Sequence, residues 1–264
     1  MMAQTLPSPG QLESLWVQKY GPADTKSGLL ALRRRLGYFL PADVHEALVA
    51  KLVNDGDRWL DVGGGHSIFP HNPATARELV ERCVKVVAVD PSQNVLKNTF
   101  VHETVQSTVE AFHPSEPFDL VTTRMVVEHV SDPASFTRAL ARLVKPNGLV
   151  VVFTVGLWSP VTILSRALPF KFHHALKRRF WTGEEDDTFP TYYRMNTRAA
   201  LRAHFEAAGF DEDLFVRTDD LSVFSHFRGL GHAELLAWRG LKAVGLPYPE
   251  RNLLAVYRKK EVGG

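Results

Sequence analysis

The stretch Leu60-Asp61-Val62-Gly63-Gly64-Gly65-His66 places one carboxylate and three successive glycines at the end of a short apolar run. Glycines in that position expose backbone N–H groups and let a ligand approach the main chain closely. A second carboxylate, Asp90, closes the next apolar run, Val84–Val89, where it can accept both hydroxyls of a ribose. The pair therefore asks for a ligand that contains a nucleoside. The dinucleotide spacing is not met, since Gly63 and Gly65 are followed by Ile68 where the third glycine would stand. A carboxylate ahead of the glycines suits a ligand carrying an amine and a sulfonium better than one carrying a pyrophosphate.

These residues need a framework that holds the ends of two neighbouring strands together. Arg58–Val62 reads as a strand. Asn72-Pro73 then opens a helix to about Arg82, with Asn as cap and Pro at the first position. Val84–Val89 and Phe118–Thr122 are further strands. Asp132-Pro133 opens a helix whose apolar stripe is Phe136, Leu140 and Leu143, and the turn Lys145–Gly148 leads into the strand Leu149–Val155. Strand and helix alternating at these intervals predict βαβ units and a parallel sheet. Upstream, residues 11–55 predict two or three helical pieces broken at Gly21-Pro22 and Gly37–Pro41, with Arg33–Arg35 either binding an anion or, the reading preferred, on a solvated face. Downstream, a helix is expected from Asn196, a strand near Leu214–Arg217, a helix near 232–243 and a last strand at Asn252–Arg258.

LDVGGG, VVAVDPS, FDLVTTRMVVEHVSDP and LVKPNGLVVVF, in this order, resemble successive motifs of the class I S-adenosylmethionine-dependent methyltransferases. The closest likeness is to the group that includes the ubiquinone-biosynthesis and related small-molecule enzymes. The resemblance covers about residues 57–155, with the closing helix-and-strand pattern of 196–258. It implies an α/β, Rossmann-like, seven-stranded and mostly parallel sheet with helices on both faces, N-terminal helices and a lid-like insertion. It also implies S-adenosyl-L-methionine as cofactor. Asp61, Gly63 and Gly65 match the motif around the methionine part and Asp90 the acidic residue at the ribose, and Gly64, His66 and Pro91 are expected beside them among the cofactor-binding residues. Thr108 and Val109 fall beside the adenine, with Thr108 where an Asp is common. Arg124 and Met125 line the methionine end, partly through backbone carbonyls.

Two departures from the family pattern stand out. Ser67 occupies the third glycine position, and the segment between Asp61 and Asp90 is long, with the insertion placed at Ser67–Asn72. His66 and Ser67 either supply donors that a helix N-terminus would otherwise give, or His66 only steadies the longer loop. The Glu-x-x-Glu-His run associated with metal in ubiquinone O-methyltransferases reads Met125-Val126-Val127-Glu128-His129 here, so no metal is expected. His129 is a candidate general base, a role that suits the histidine side chain. The other reading is that Glu128-His129 caps and buttresses its loop.

The acceptor walls are expected in the N-terminal helices and in 157–195. Tyr192, Tyr193 and Arg194 either form part of the wall, with Arg194 pairing an anionic group, or belong to a lid that packs Phe189 and Tyr192 on the core and salt-bridges its charges. His173 and His174 are further base candidates or a solvated face beside Lys177–Arg179. The apolar and basic run Leu164–Trp181 is compatible with peripheral membrane contact, which is not an expectation, and Pro169 interrupts it.

Composition sets the outer bounds. With 45% apolar and 23% charged residues, the 264-residue chain is an ordinary globular one, and 31 basic against 29 acidic residues predict no nucleic-acid partner. The single cysteine, Cys83, excludes an intramolecular disulfide and fits a reducing compartment. The N-terminal residues do not read as a signal peptide and the longest apolar run is too short to span a bilayer, so a cytoplasmic location is expected. One methyltransferase domain over 1–264 is expected: a helical cap (1–56), a cofactor half (57–155), an acceptor-side insertion (156–195) and closing elements (196–264). The function expected is methyl transfer to a small molecule, leaning to oxygen, with N-, S- or C-methylation as alternatives. An NAD-dependent oxidoreductase and a catalytically silent cofactor-binding scaffold are the rivals, and oligomeric state is left open.

Overall fold

The computed structural model describes residues 4–22, 25–26, 28–167, 189–225, 227 and 229–261, without the side chains of 165–167. His173, His174 and the Lys177–Arg179 run lie outside these residues.

Seven strands form one sheet: β1 (Arg58–Val62), β2 (Lys85–Asp90), β3 (Glu103–Gln106), β4 (Phe118–Arg124), β5 (Val144–Val155), β6 (Phe210–Asp219) and β7 (Arg251–Lys259). Their order is β3-β2-β1-β4-β5-β7-β6. The first five run parallel, and β7 is antiparallel to both its neighbours. The direction of strand succession reverses between β1 and β4, which creates a crevice at their carboxyl ends. Asp61 pairs in register with Thr122 across that reversal, and with Ala88 on the other side.

Helices cover both faces. On one face α3 (Pro41–Leu52) and α4 (Pro73–Arg82) bury Leu48, Val49, Leu79 and Val80 against Trp59, Val86, Leu120, Val151 and Phe153. On the other, α5 (Pro133–Leu143) and the later helix Arg198–Ala207 bury Phe136, Leu140, Leu143, Leu201 and Phe205 against Leu60, Val62, Val121 and Val150. Successive strand residues point to opposite faces, so Asp61, Thr122 and Arg124 share the α3 and α4 side with Trp59, Leu120 and Phe153.

The remaining helices are α1 (Pro9–Tyr20), α2 (Gly28–Arg35), α6 (Pro160–Ala167), α7 (the helix Arg198–Ala207) and α8 (Leu230–Ala243). α1 is locked to α3 by Lys19, which donates to Asp43 and to Glu46 at 2.9 Å in a setting almost sealed from solvent. α2 and α8 share a smaller core of Leu29, Leu32, Tyr38, Leu221, Leu235 and Trp238.

Several local expectations are corrected. Arg33 is not on a solvated face: it is buried, donates to the Leu221 carbonyl and lies over the Tyr38 ring. Arg34 pairs with Glu13. The short strand β3 had no signal in the sequence, because its burial pattern shows no strong alternation. β5 starts at Val144, so Lys145–Gly148 is the bulged start of a strand in which Asn147 takes a positive φ of 65°. The helix expected from Asn196 begins at Arg198, with Thr197 capping it by accepting from the Ala200 N–H.

Candidate functional site

β1 ends in a turn that only glycine can make at its first position. Gly63 has φ +74°, and a Cβ there would lie 2.3 Å from Cγ2 of Val126. Val126 reaches that spot because Met125, just past β4, takes φ +53° and folds the chain back over the crevice. A non-glycine residue in this region costs about 1–2 kcal/mol. The Met125 N–H, donating to the Phe153 carbonyl at 2.8 Å, holds it there. Gly65, at φ +38°, faces open space: no atom lies within 4 Å of where its Cβ would be. Gly63 is thus closed in by Val126, whereas the space beside Gly65 is open.

Asp90 ends β2 beside this cradle. Its two carboxylate oxygens accept from the N–H of Gly65 at 3.2 Å and of Ser92 at 2.8 Å, which fixes the carboxylate at the rim. The Ser107 N–H donates to the Asp90 carbonyl, bringing Thr108 and Val109 alongside. Thr108 is exposed there, whereas the Val109 side chain packs into the core with Val87 and Phe112. Asn98, which no sequence motif marked, is buried and donates to the Gly64 carbonyl at 3.1 Å.

Asp61 is 4% exposed and sits at the end of a relay. The Trp59 indole N–H donates to Thr122 Oγ1 at 2.8 Å, and that hydroxyl donates to Asp61 Oδ1 at 2.7 Å. Burial, with a contribution from the charge of Asp90, raises the Asp61 pKa from 3.8 to about 7, against the lowering effects of Thr122 and Arg124. A carboxylate poised in this way gains most from a cationic partner.

The lengthened loop begins with His66, which is exposed, and continues into Ile68 and Phe69, which are buried against the α3 side of the core. Ser67 Oγ is buried without a hydrogen-bond partner among the described residues. Asn72 caps α4 as the sequence predicts, and its amide also donates to Glu46 at 3.0 Å. Beside Phe69 stands His45 of α3, a residue the sequence reading passed over. Its ring is fully buried, stacked on Phe153 at 4.9 Å, and neither nitrogen has a hydrogen-bond partner among the described residues. Burial, then the charges of Arg124 and Lys19, lower its pKa to about 3, so it is neutral. A histidine at a buried position of an amphipathic helix was the one available signal.

On the β5 side, Glu128 and His129 form a single helical turn. Glu128 is buried and accepts from Thr154 Oγ1 at 2.8 Å, and its pKa is raised by burial. Its carbonyl accepts from the N–H groups of Tyr192 and Tyr193, at 2.7 and 3.1 Å. His129 Nδ1 lies 3.0 Å from the Pro190 carbonyl. The segment 189–196 is thereby strapped across the turn. The lid reading is corrected in two respects: Phe189 and Tyr192 are exposed rather than packed in the core, and Arg194 donates to the Ser131 carbonyl and lies over Tyr192 instead of making a salt bridge. Asp61, the glycines, Asp90, Arg124 and Met125 surround one crevice, and His129 with the 190–194 strap stands on its β5 side.

The methyltransferase-domain family model matches residues 32–213. The chain belongs to the class I S-adenosylmethionine-dependent methyltransferases. Ubiquinone biosynthesis O-methyltransferases are similar in sequence: that of Caulobacter sp. (strain K31) is 30% identical over 43% of this chain and 50% of its own length. That of Bradyrhizobium diazoefficiens is 35% identical over 50% of this chain and 56% of its own. The chain thus spans about half the length of these relatives. Among solved structures, a Listeria monocytogenes protein assigned as an S-adenosylmethionine-dependent methyltransferase superposes with a TM-score of 0.52 at 14% identity, over 84% of this chain and 99% of its own. A Galdieria sulphuraria protein assigned as a sarcosine dimethylglycine methyltransferase gives 0.52 at 12% identity, over 95% and 98%. At these identities the structural likeness concerns the fold.

The cofactor of the family is S-adenosylmethionine, and the residues present fit it. The space beside Gly65 is open, the Asp90 carboxylate lies next to it as the acceptor of the Gly65 N–H, and buried Asp61 makes no ion pair with a described residue. No helix among the described residues is long and apolar enough to cross a membrane.

Proposed function

We propose that this protein methylates an oxygen of a small molecule, with Asp61, Gly63–His66, Asp90, Pro91, Thr108, Val109, Arg124 and Met125 around the cofactor. The cofactor, when bound, supplies an electrophilic methyl group on a sulfonium. The chain's part is to hold the cofactor, align the acceptor hydroxyl and take its proton.

The observation that carries the oxygen reading is the pairing of His129 with Pro190. A carbonyl oxygen only accepts, so at 3.0 Å Nδ1 of His129 is the donor and carries the proton whenever the ring is neutral. Nε2 is then left with its lone pair, the form a general base needs. Glu128, held by Thr154, fixes the turn that carries the ring, and the Tyr192–Arg194 strap supplies an exposed aromatic and cationic wall beside it. The ubiquinone-biosynthesis relatives, O-methyltransferases by name, support the same lean.

The test is to incubate the protein with methyl-labelled S-adenosylmethionine and a small-molecule extract of the host, and to characterise the labelled product. A methyl ether or ester is expected. His129→Gln should lower turnover about 10²- to 10⁴-fold while the affinity for S-adenosylhomocysteine, the demethylated cofactor, stays unchanged. A labelled amine or thioether, or full turnover by the variant, would refute the oxygen reading.

A further inference from the structure

Arg124 is the last residue of β4, half-buried at the crevice, and its charge is felt by three buried groups: Asp61, His45 and Glu128. Its guanidinium makes no hydrogen bond or ion pair with any described residue. Lys19, the other cation near His45, is already committed to Asp43 and Glu46. Arg124 is thus a fixed cation waiting for an anion.

Its placement relative to Asp61 is specific. Thr122 is the register partner of Asp61, and Arg124 stands two residues further along the same strand, with its side chain on the same face. The Cα atoms of Asp61 and Arg124 are therefore about 8 Å apart on neighbouring strands, a separation that long side chains of opposite charge can share across one small ligand. Asp61 accepts from Thr122, and Arg124 pairs with no described residue, so the two present a negative and a positive pole side by side.

The usual alternative for an anion at the end of β1 is the N-terminus of the following helix. Here that end is withdrawn. The loop 66–72 separates it from Gly65, Asn72 accepts from the Thr75 N–H, and the carboxylate of Glu46 already lies against Asn72. An anion in the cradle would find neither a free helix end nor a site clear of negative charge there.

We propose that Asp61 and Arg124 form a clamp for an α-amino acid zwitterion, the methionine tail of the cofactor, in which Asp61 takes the ammonium and Arg124 takes the carboxylate that the displaced helix no longer serves. Arg124 acts through its side chain, beyond any backbone contribution at this position. Neutral His45, buried below, leaves the guanidinium unopposed by a second charge while adding none. The clamp rests on the assignment of the crevice as the cofactor site.

Calorimetry with two probes separates the possibilities: S-adenosylhomocysteine, and its decarboxylated analogue in which the ammonium remains and the carboxylate is gone. The wild-type protein is expected to prefer S-adenosylhomocysteine by about 10- to 100-fold, the range for hydrogen bonds to a charged group. Arg124→Met should abolish that preference while leaving the decarboxylated analogue within about threefold of its wild-type affinity; Arg124→Lys should keep part of it. Equal weakening of both probes by Arg124→Met, or no weakening, overturns the clamp. The wild-type comparison stands even where the methionine variant fails to fold: no preference for the carboxylate overturns it too. A wild-type protein that binds neither probe overturns the assignment of the crevice, and the clamp falls with it.

Discussion

Asp61 carries a cost to the folded protein that its replacement should recover. Its carboxyl titrates near pH 7 in the fold and at 3.8 when unperturbed, because burial disfavours the anion. The folded state therefore holds this proton more tightly than the unfolded chain. The group's contribution to stability is fully present below pH 3.8 and is lost as pH rises through 7. A shift of about three units corresponds to a cost of about 4 kcal/mol at and above neutral pH. Asp61→Asn keeps the shape and an oxygen to accept from Thr122 Oγ1. It removes the ionisation, and adds an amide N–H pair that costs about 1–3 kcal/mol where it finds no acceptor. The apoprotein variant should thus be about 1–3 kcal/mol more stable at pH 8, which is roughly 2–10 °C in melting temperature for a chain of this size. Its advantage should grow between pH 4 and 7 and level off above. Binding should move the other way, since Asn cannot neutralise an ammonium: affinity for S-adenosylhomocysteine should fall about 10- to 100-fold. Thermal melts from pH 4 to 8, with calorimetry at pH 8, read both. A stability difference that is flat with pH, or a variant less stable at pH 8, would refute the reasoning.

The cradle and its support make two further predictions. Gly63→Ala meets Val126 at 2.3 Å and also bears a left-handed φ, so urea unfolding should show a loss of roughly 2–4 kcal/mol. Val126→Ala should restore only the packing part. Gly65→Ala, with nothing near its Cβ, should cost only about 1 kcal/mol in stability yet weaken S-adenosylhomocysteine by more than about tenfold, because the methyl enters the ligand's space; equal effects on stability and binding would contradict the cradle. Lys19→Met leaves the buried carboxylates of Asp43 and Glu46 facing each other and should cost about 3–5 kcal/mol. Burial already raises the Glu46 pKa, and Lys19 opposes that rise, so the loss should be larger at pH 8 than at pH 5; a pH-independent loss below about 1 kcal/mol would be inconsistent with this pairing.

The sheet was legible in the sequence wherever apolar runs stop at a chemical marker. β1 ends at glycine, β2 at Asp90, and α4 and α5 start at Asn72-Pro73 and Asp132-Pro133, all signals that act within a few residues. β3 was missed because an edge strand of four half-exposed residues needs no apolar alternation. The reversal of β7 likewise depends on pairing between distant segments. In the site, Asp61, the glycines and Asp90 announced themselves through position along the chain. His45 and Asn98 did not: one is brought by α3 and the other by the turn after β2, and only packing places them beside Phe69 and Gly64. Arg33 shows the same limit, since a helix-face pattern cannot reveal that Leu221, far along the chain, offers a carbonyl to a buried guanidinium.

The loop 66–72 connects these features. A ligand loop that merely grew longer would cost ordering entropy and expose apolar surface. Here Ile68 and Phe69 are buried in the α3 and α4 core, so the added residues contribute their own packing. Phe69 in turn meets His45, whose ring stacks on Phe153, the register partner of Arg124. At its other end Asn72 is tied through Glu46 to Lys19 of α1. The start of α4 and Arg124 are therefore two ends of one packed unit. The start of α4 at Pro73 and the side chain of Arg124 at the end of β4 are thus coupled through Phe69, His45 and Phe153, and a change in the loop 66–72 reaches the strand tip through that stack.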